Sequence, residues 1–158
     1  MADYFLDTSA LAKLYHQEIG SDYTDRILEQ TDSRSLISRL SIVELESVLA
    51  VKIRTGEIDQ AALQIARRRF RADLARQRLF VAPPLHEGHF QSARKLLVQY
   101  GVAEGLRTLD ALQLAISLDL HREGHIAVLV AADQRLCRVA PMAGCTAINP
   151  EQPGPILV

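Results

Sequence analysis

Two apolar runs in this 158-residue chain end in an aspartate: "YFLD" at Asp7 and "IAVLVAAD" at Asp133. In an open parallel sheet, ligands collect outside the carboxyl ends of the strands. If both runs are parallel strands of one sheet, Asp7 and Asp133 share an edge. Two helix starts can add to them: Glu44 in the first turn of a helix opened by Ser41, and Asp110 in the first turn of a helix capped by Thr108. Taken singly, each acid also fits a plain structural role. Ser41 and Glu44 match the capping box S-x-x-E, Asp110 sits where any acid favours the helix dipole, and Asp7 and Asp133 can cap the helices that follow them. Taken together, four gathered acids repel one another by about 1 to 4 kcal/mol per close pair, so a fold that collects them needs a cation. Oxygen ligands without His or Cys point to Mg²⁺ or Mn²⁺, and the implied chemistry is metal-assisted attack of water on a phosphodiester. Ser9, two residues past Asp7, can support that carboxylate. Asp110, Gln113 and Ser117 form a polar flank on their helix. Glu46 lies about 200° around the helix from Glu44, so only one of the two can face the site.

These side chains depend on an alternation of strands and helices. After the strand at Tyr4–Leu6, Leu11, Leu14 and Tyr15 repeat at helical spacing, and "SDYTDRILEQ" reads as a second helix. The run "SLISRL" precedes a helix carrying Ile42, Leu45 and Leu49 on one face. Asp59 caps a long helix reaching about Gln77, with its arginines on the outer face, and "LFVAPP" is strand and stop. His86 to Tyr100 is helical, with Gly101 as its left-handed terminator. Thr108 starts a helix whose stripe is Leu109, Leu112, Ile116 and Leu120, closed by Gly124. "IAVLVAAD" is too uniformly apolar for a strand with one wet face, and "TAINP" reads as a last edge strand. The expected fold is a three-layer α/β/α sandwich around a mostly parallel sheet. It forms one domain over residues 1–150, with an irregular tail over 151–158.

Net charge is −1, so an anionic partner must be met by a local patch. Of the 18 basic residues only Lys13, Lys52 and Lys95 are lysine, and six arginines crowd into "RRRFRADLARQR", Arg67 to Arg78. Guanidinium forks suit phosphate or carboxylate, which makes Arg67, Arg68, Arg69 and Arg71 a candidate nucleic-acid or partner patch. A solvated helix face accounts for them equally well. Cys137 and Cys145 lack metal-ligand spacing. No signal-like segment or membrane-length apolar run is present, and the expected location is the cytoplasm.

The pieces "FLDTSAL", "SIVELESVL", "LRTLDALQLA" and "VLVAADQRLCRVA", in that order across nearly the full chain, resemble the PIN-domain family, in particular the VapC-type toxins of bacterial toxin–antitoxin pairs. The resemblance implies an α/β/α fold, an acidic Mg²⁺/Mn²⁺ site and an endoribonuclease activity acting on RNA. It also implies a cognate antitoxin as partner and frequent homodimers. It assigns Asp7, Glu44, Asp110 and Asp133 to the family's acidic quartet, with Asp7 and Asp110 as direct ligands and Glu44 and Asp133 binding metal directly or through water. Ser9 matches the small hydroxyl that supports the first aspartate. Where many members have Thr or Ser two residues before the last acid, this chain has Ala131. The arginine-rich helix falls in a variable region and inherits no role.

Other readings fare less well. A phosphotransferase loop needs a second acid that "DTS" lacks, and a receiver domain needs a late lysine, whereas none follows Lys95. A catalytically weak module of the same fold, acting through partner binding, is the stronger rival. His86-x-x-His89 and His121-x-x-x-His125 have no further zinc ligands nearby in sequence and read as exposed histidines.

Overall fold

The computed structural model describes residues 3–152 and residue 154. Tyr4–Leu6 forms β1 and Ser35–Ile37 forms β2, followed by β3 at Leu79–Val81, β4 at Val128–Val130 and β5 at Ala147–Ile148. All pair in parallel, in the order β3-β2-β1-β4-β5. Side chains alternate across a strand, and the core divides accordingly. Tyr4, Leu6, Val128 and Val130 pack on one side of the sheet, Phe5 and Leu129 on the other.

Each side is covered by helices. On the first lie α1 (Thr8–Leu11, continued by a 3₁₀ turn over Ala12–Leu14), α2 (Ser21–Leu28), α3 (Arg39–Arg54) and α4 (Gln60–Ala75), contributing Leu11, Ile27, Leu45, Leu49, Leu63 and Phe70. On the second lie α5 (Glu87–Glu104), α6 (Thr108–Arg122) and α7 (Gln134–Ala143), contributing Ala93, Leu96, Leu114, Ile116, Leu136 and Val139. This is a three-layer α/β/α sandwich. Central strands buried on both faces need uniformly apolar sequence, which is why "VLV" lacks an alternating pattern.

Several boundaries differ from the expectation. α3 begins one turn earlier than Ser41: Ser38 is the N-cap, its side chain accepting the Ser41 N–H at 3.1 Å. Glu44 therefore lies in the second turn and forms no capping box with Ser41. α5 runs through Gly101 to Glu104, and the left-handed terminator is Gly105, at φ 69°. Thr108 is the first helical residue of α6 rather than its cap, which is Arg107. Leu109 is exposed, and the buried face of α6 keeps Ile116 and Leu120 of the expected stripe and adds Ala111, Leu114 and Ala115. Of the tail, Glu151 accepts from Lys13 Nζ at 2.7 Å; Pro153 and residues 155–158 lie outside the described residues.

The arginines of α4 and its C-terminal end lie on an outer face, and several of them are engaged there. Arg67 grips Glu46 of α3 through both Nε and Nη2, Arg69 lies over the Tyr15 ring, and Arg78 pairs with Asp73, which also accepts from Tyr15 Oη at 2.9 Å. These contacts hold α4 to the body, while Arg68, Arg69, Arg71, Arg76 and Arg78 remain exposed.

Candidate functional site

The chain lays down β1, β2 and β3 in one direction across the sheet, then returns to add β4 and β5 beyond β1. The switch in direction falls between β1 and β4, the place where open α/β sheets form ligand crevices. Asp7 follows β1 there, its backbone N–H donating to the Val130 carbonyl of β4 at 2.9 Å. Asp133 follows β4 three residues on. Ser9 joins the two: its hydroxyl donates to Asp7 Oδ2 at 2.6 Å and accepts the Ala132 N–H at 2.9 Å. Both aspartates are also N-caps. Asp7 Oδ2 accepts the Ser9 N–H, and Asp133 Oδ1 accepts from Arg135 and Leu136. Two backbone donors thus orient Asp133 without the hydroxyl that Ala131 lacks.

Glu44 and Asp110 approach from opposite helical layers. Gln113, one turn after Asp110 on α6 and fully buried, crosses to α3 and donates from Nε2 to Glu44 Oε1 and Ser41 Oγ, each at 2.9 Å. Its Nε2 also lies 3.3 Å from Thr8 Oγ1. Glu44 therefore faces inward while Glu46 turns out to Arg67, as the angle between them requires.

Electrostatics at this edge are unfavourable for anions alone. Asp7 is only 5 % exposed. Burial pushes its carboxyl above the usual range, the Ser9 bonds oppose this, and Asp110 adds to it. Glu44 is likewise raised, by burial first and then by Asp7. Among the described residues no cationic side chain pairs with Asp7 or Glu44, although a buried carboxylate left unpaired is costly. Asp110 and Asp133 share one cation, Arg107, whose Nε is 3.3 Å from Asp110 Oδ2 and whose Nη2 is 3.4 Å from Asp133 Oδ2. Among the described residues no three of the four acids bring carboxylate oxygens within 4.8 Å of one another. An all-oxygen donor set spread this widely suits a hard divalent ion that keeps its water, as Mg²⁺ does, rather than a closed cage.

The PIN domain family model matches residues 4–141, a span containing all four acids and strands β1 to β4. The chain belongs to the PIN domain family. Solved structures of similar fold include PAE2754 from Pyrobaculum aerophilum, at 21 % identity and TM-score 0.59, covering 95 % of this chain and 90 % of that one. VapBC2 from Rickettsia felis, bound to a DNA fragment from their promoter, aligns at 16 % identity and TM-score 0.61, covering 92 % and 97 %. VapC20 from Mycobacterium tuberculosis, a Sarcin-Ricin loop cleaving toxin, aligns at 19 % identity and TM-score 0.63, covering 91 % and 97 %. None of the curated proteins matches the chain by sequence.

Within this PIN domain the acids and Ser9 meet at one sheet edge, whereas Thr108 does not join them: it is exposed, and its side chain makes no hydrogen bond among the described residues. Arg107 was not among the residues expected at the site, and Gln113, expected as part of the polar flank beside Asp110, had no partner assigned. Their spacing from Asp110, three residues on either side, is the signal that places all three on one helical face. The histidines also differ from expectation. His89 is buried, and Asp119 of α6 joins His86 and His89, all three presenting ligand atoms within 4.8 Å of one another. His86 Nδ1 accepts the Gly88 N–H and His89 Nδ1 accepts the His86 N–H, so both caps of α5 use the unprotonated Nδ1. Each neutral ring then carries its hydrogen on Nε2, toward Asp119 at 3.7 and 3.3 Å. A metal at Nε2 would need the hydrogen on Nδ1, where a backbone N–H already points. His86 and His89 form a hydrogen-bonded helix cap, with Asp119 beside their Nε2 atoms.

Proposed function

We propose that this PIN-domain protein is an endoribonuclease dependent on Mg²⁺ or Mn²⁺, the toxin of a VapC-type toxin–antitoxin pair. The observation that carries the reading is Asp7: a buried carboxylate at the topological switch, with no cationic partner among the described residues, with Asp110 close enough to raise its proton affinity, and itself raising that of Glu44. Asp7 and Asp110 would hold the ion directly, with Glu44 and Asp133 reaching it directly or through water. When bound, the ion supplies Lewis-acid polarisation of a phosphate oxygen and acidifies water at neutral pH. The chain's own residues set the geometry: Ser9 holds Asp7, Gln113 holds Glu44, and the N-terminus of α7 holds Asp133. In the hydrolysis the oxygen of water attacks phosphorus, the bond from phosphorus to the leaving sugar oxygen breaks, and that oxygen takes up a proton.

The wider reading is a cytoplasmic toxin of one domain over 1–150, held by an antitoxin and forming homodimers. The similarity in fold to a VapBC assembly and to an RNA-cleaving VapC toxin supports it. Among the described residues no helix is long and apolar enough to cross a membrane. Arg68, Arg69 and Arg71, with the half-buried Arg67 beside them, form a surface for RNA or the antitoxin. The test is incubation of purified, partner-free protein with cellular RNA in Mg²⁺, Mn²⁺ or EDTA. Cleavage is expected with metal only and should be lost in Asp7→Ala. Equal cleavage by wild type and Asp7→Ala, or equal cleavage in EDTA, would overturn the reading. Expressed alone, wild type should arrest growth and Asp110→Asn should not.

A further inference from the structure

Arg107 occupies a position that helix formation does not favour. It is the N-cap of α6 and makes no capping bond, whereas this position prefers an oxygen-bearing side chain, and positive charge is unfavourable at the positive end of a helix dipole. Its side chain is 62 % exposed, so packing does not explain it either. Its N–H groups divide between two acids from different elements: Nε at 3.3 Å from Asp110 of α6, Nη2 at 3.4 Å from Asp133 at the end of β4. These are long, single contacts, one nitrogen per carboxylate, unlike the bidentate grip of Arg67 on Glu46. Nη1 has no protein partner among the described residues. A guanidinium that holds two carboxylates loosely at the rim of an acidic site, with N–H groups to spare, can turn to another anion.

Within the nuclease reading, on which this inference rests, we propose that Arg107 is the phosphate-contacting residue of the site. It tethers Asp110 and Asp133 before substrate arrives and donates to a non-bridging oxygen of the phosphodiester when RNA binds. The substrate brings its own negative charge to an edge lined with acids, and Arg107 is the cation that stands between two of them. Arg135, 3.6 Å from Asp133 Oδ2, pairs with Asp133 only and serves as the comparison.

Opposed effects on two ligands test this. In R107A, loss of one phosphate contact should lower by about one the slope of log K against log salt for a fluorescein-labelled 20-nucleotide single-stranded RNA, read by anisotropy in EDTA. Mn²⁺ affinity, read by calorimetry without RNA, should rise about three- to tenfold, because a competing cation has left two of the acids. Cleavage with Mn²⁺ should fall about 100-fold. R107K should keep the salt slope and recover only part of the cleavage, and R135A should keep the slope. A salt slope in R107A equal to that of wild type, or Mn²⁺ affinity unchanged or weakened, overturns the proposal. Wild type that binds this RNA and Mn²⁺ yet cleaves no cellular RNA overturns the nuclease reading instead, while the slope still decides the contact. Wild type that does not bind the RNA overturns both.

Discussion

Replacing Gln113 with leucine isolates what holds Glu44 in place. The amide is fully buried, and its two N–H groups reach Glu44 Oε1 and Ser41 Oγ at 2.9 Å. A hydrogen bond to a carboxylate contributes about 1.5 to 3 kcal/mol and one to a hydroxyl about 0.5 to 1.5 kcal/mol. Against that loss stands a gain, because Gln113 Oε1 is buried without a partner, and such an orphan costs about 1 to 3 kcal/mol. The net destabilisation is then about 1 to 1.5 kcal/mol, a fall in Tm of about 2 to 6 °C for a chain of this length. On the proposed function, cleavage should fall further than stability accounts for at the assay temperature, because the freed Glu44 no longer faces the acidic edge. Gln113→Glu provides a second measurement. It keeps the shape but opposes two carboxylates, a repulsion of about 4 kcal/mol at 4 Å in a partly screened site, so it should melt lower still in EDTA and recover with Mn²⁺. Thermal melts with and without Mn²⁺, alongside single-turnover cleavage, measure both effects. A Gln113→Leu protein that melts with the wild type and cleaves as fast would refute the reasoning.

Two further outcomes concern Asp7. Its carboxyl and that of Glu44 titrate above the usual range in the metal-free fold, so between about pH 4, where an unfolded carboxyl titrates, and the raised folded values the native state binds more protons than the unfolded chain. Stability contributed by these groups is full below that window and lost as pH rises through it. Asp7→Asn should therefore melt higher than wild type in EDTA at pH 7, with the gap closing toward pH 4 and reversing when Mn²⁺ is added, since only the intact site gains from ligand binding. An Asp7→Asn protein that melts lower than wild type in EDTA at pH 7 would contradict this. Ser9→Ala removes the hydroxyl bonded to Asp7 Oδ2 and orphans the Ala132 N–H. It should cost about 1.5 to 3 kcal/mol and reduce cleavage in proportion to Asp7 misplacement, whereas Ser9→Thr should retain most of both, by the same melts and cleavage assay.

The acids of this PIN domain, and Ser9 beside Asp7, were legible in the sequence, and the groups that hold Glu44 and bridge Asp110 to Asp133 were not, for one physical reason. Asp7 and Asp133 end runs whose uniform apolarity marks strands buried on both faces, so their placement follows from local pattern and the geometry of parallel sheets. Helix ends were harder to place because the signals repeat. Ser38 and Ser41 are both good caps one turn apart, and only the first takes extended backbone before α3. Gly101 and Gly105 are both glycines near the end of α5, yet only Gly105 takes positive φ, with Leu106 buried beside it. Gln113 meets Glu44 across 69 residues, and the contact exists because α3 and α6 cover opposite faces of the sheet and converge past its edge. No period along α6 encodes that meeting. His89 and Asp119 come together in the same way, through the packing of α5 on α6. Charge at a strand end and the local bonds that aim it can be read one element at a time, but the hydrogen bond that aims Glu44 belongs to a pair of elements. Arg107 sharpens the point: as a cap it is a poor choice, and its place is explained only by two carboxylates that the fold brings within 3.4 Å of its guanidinium.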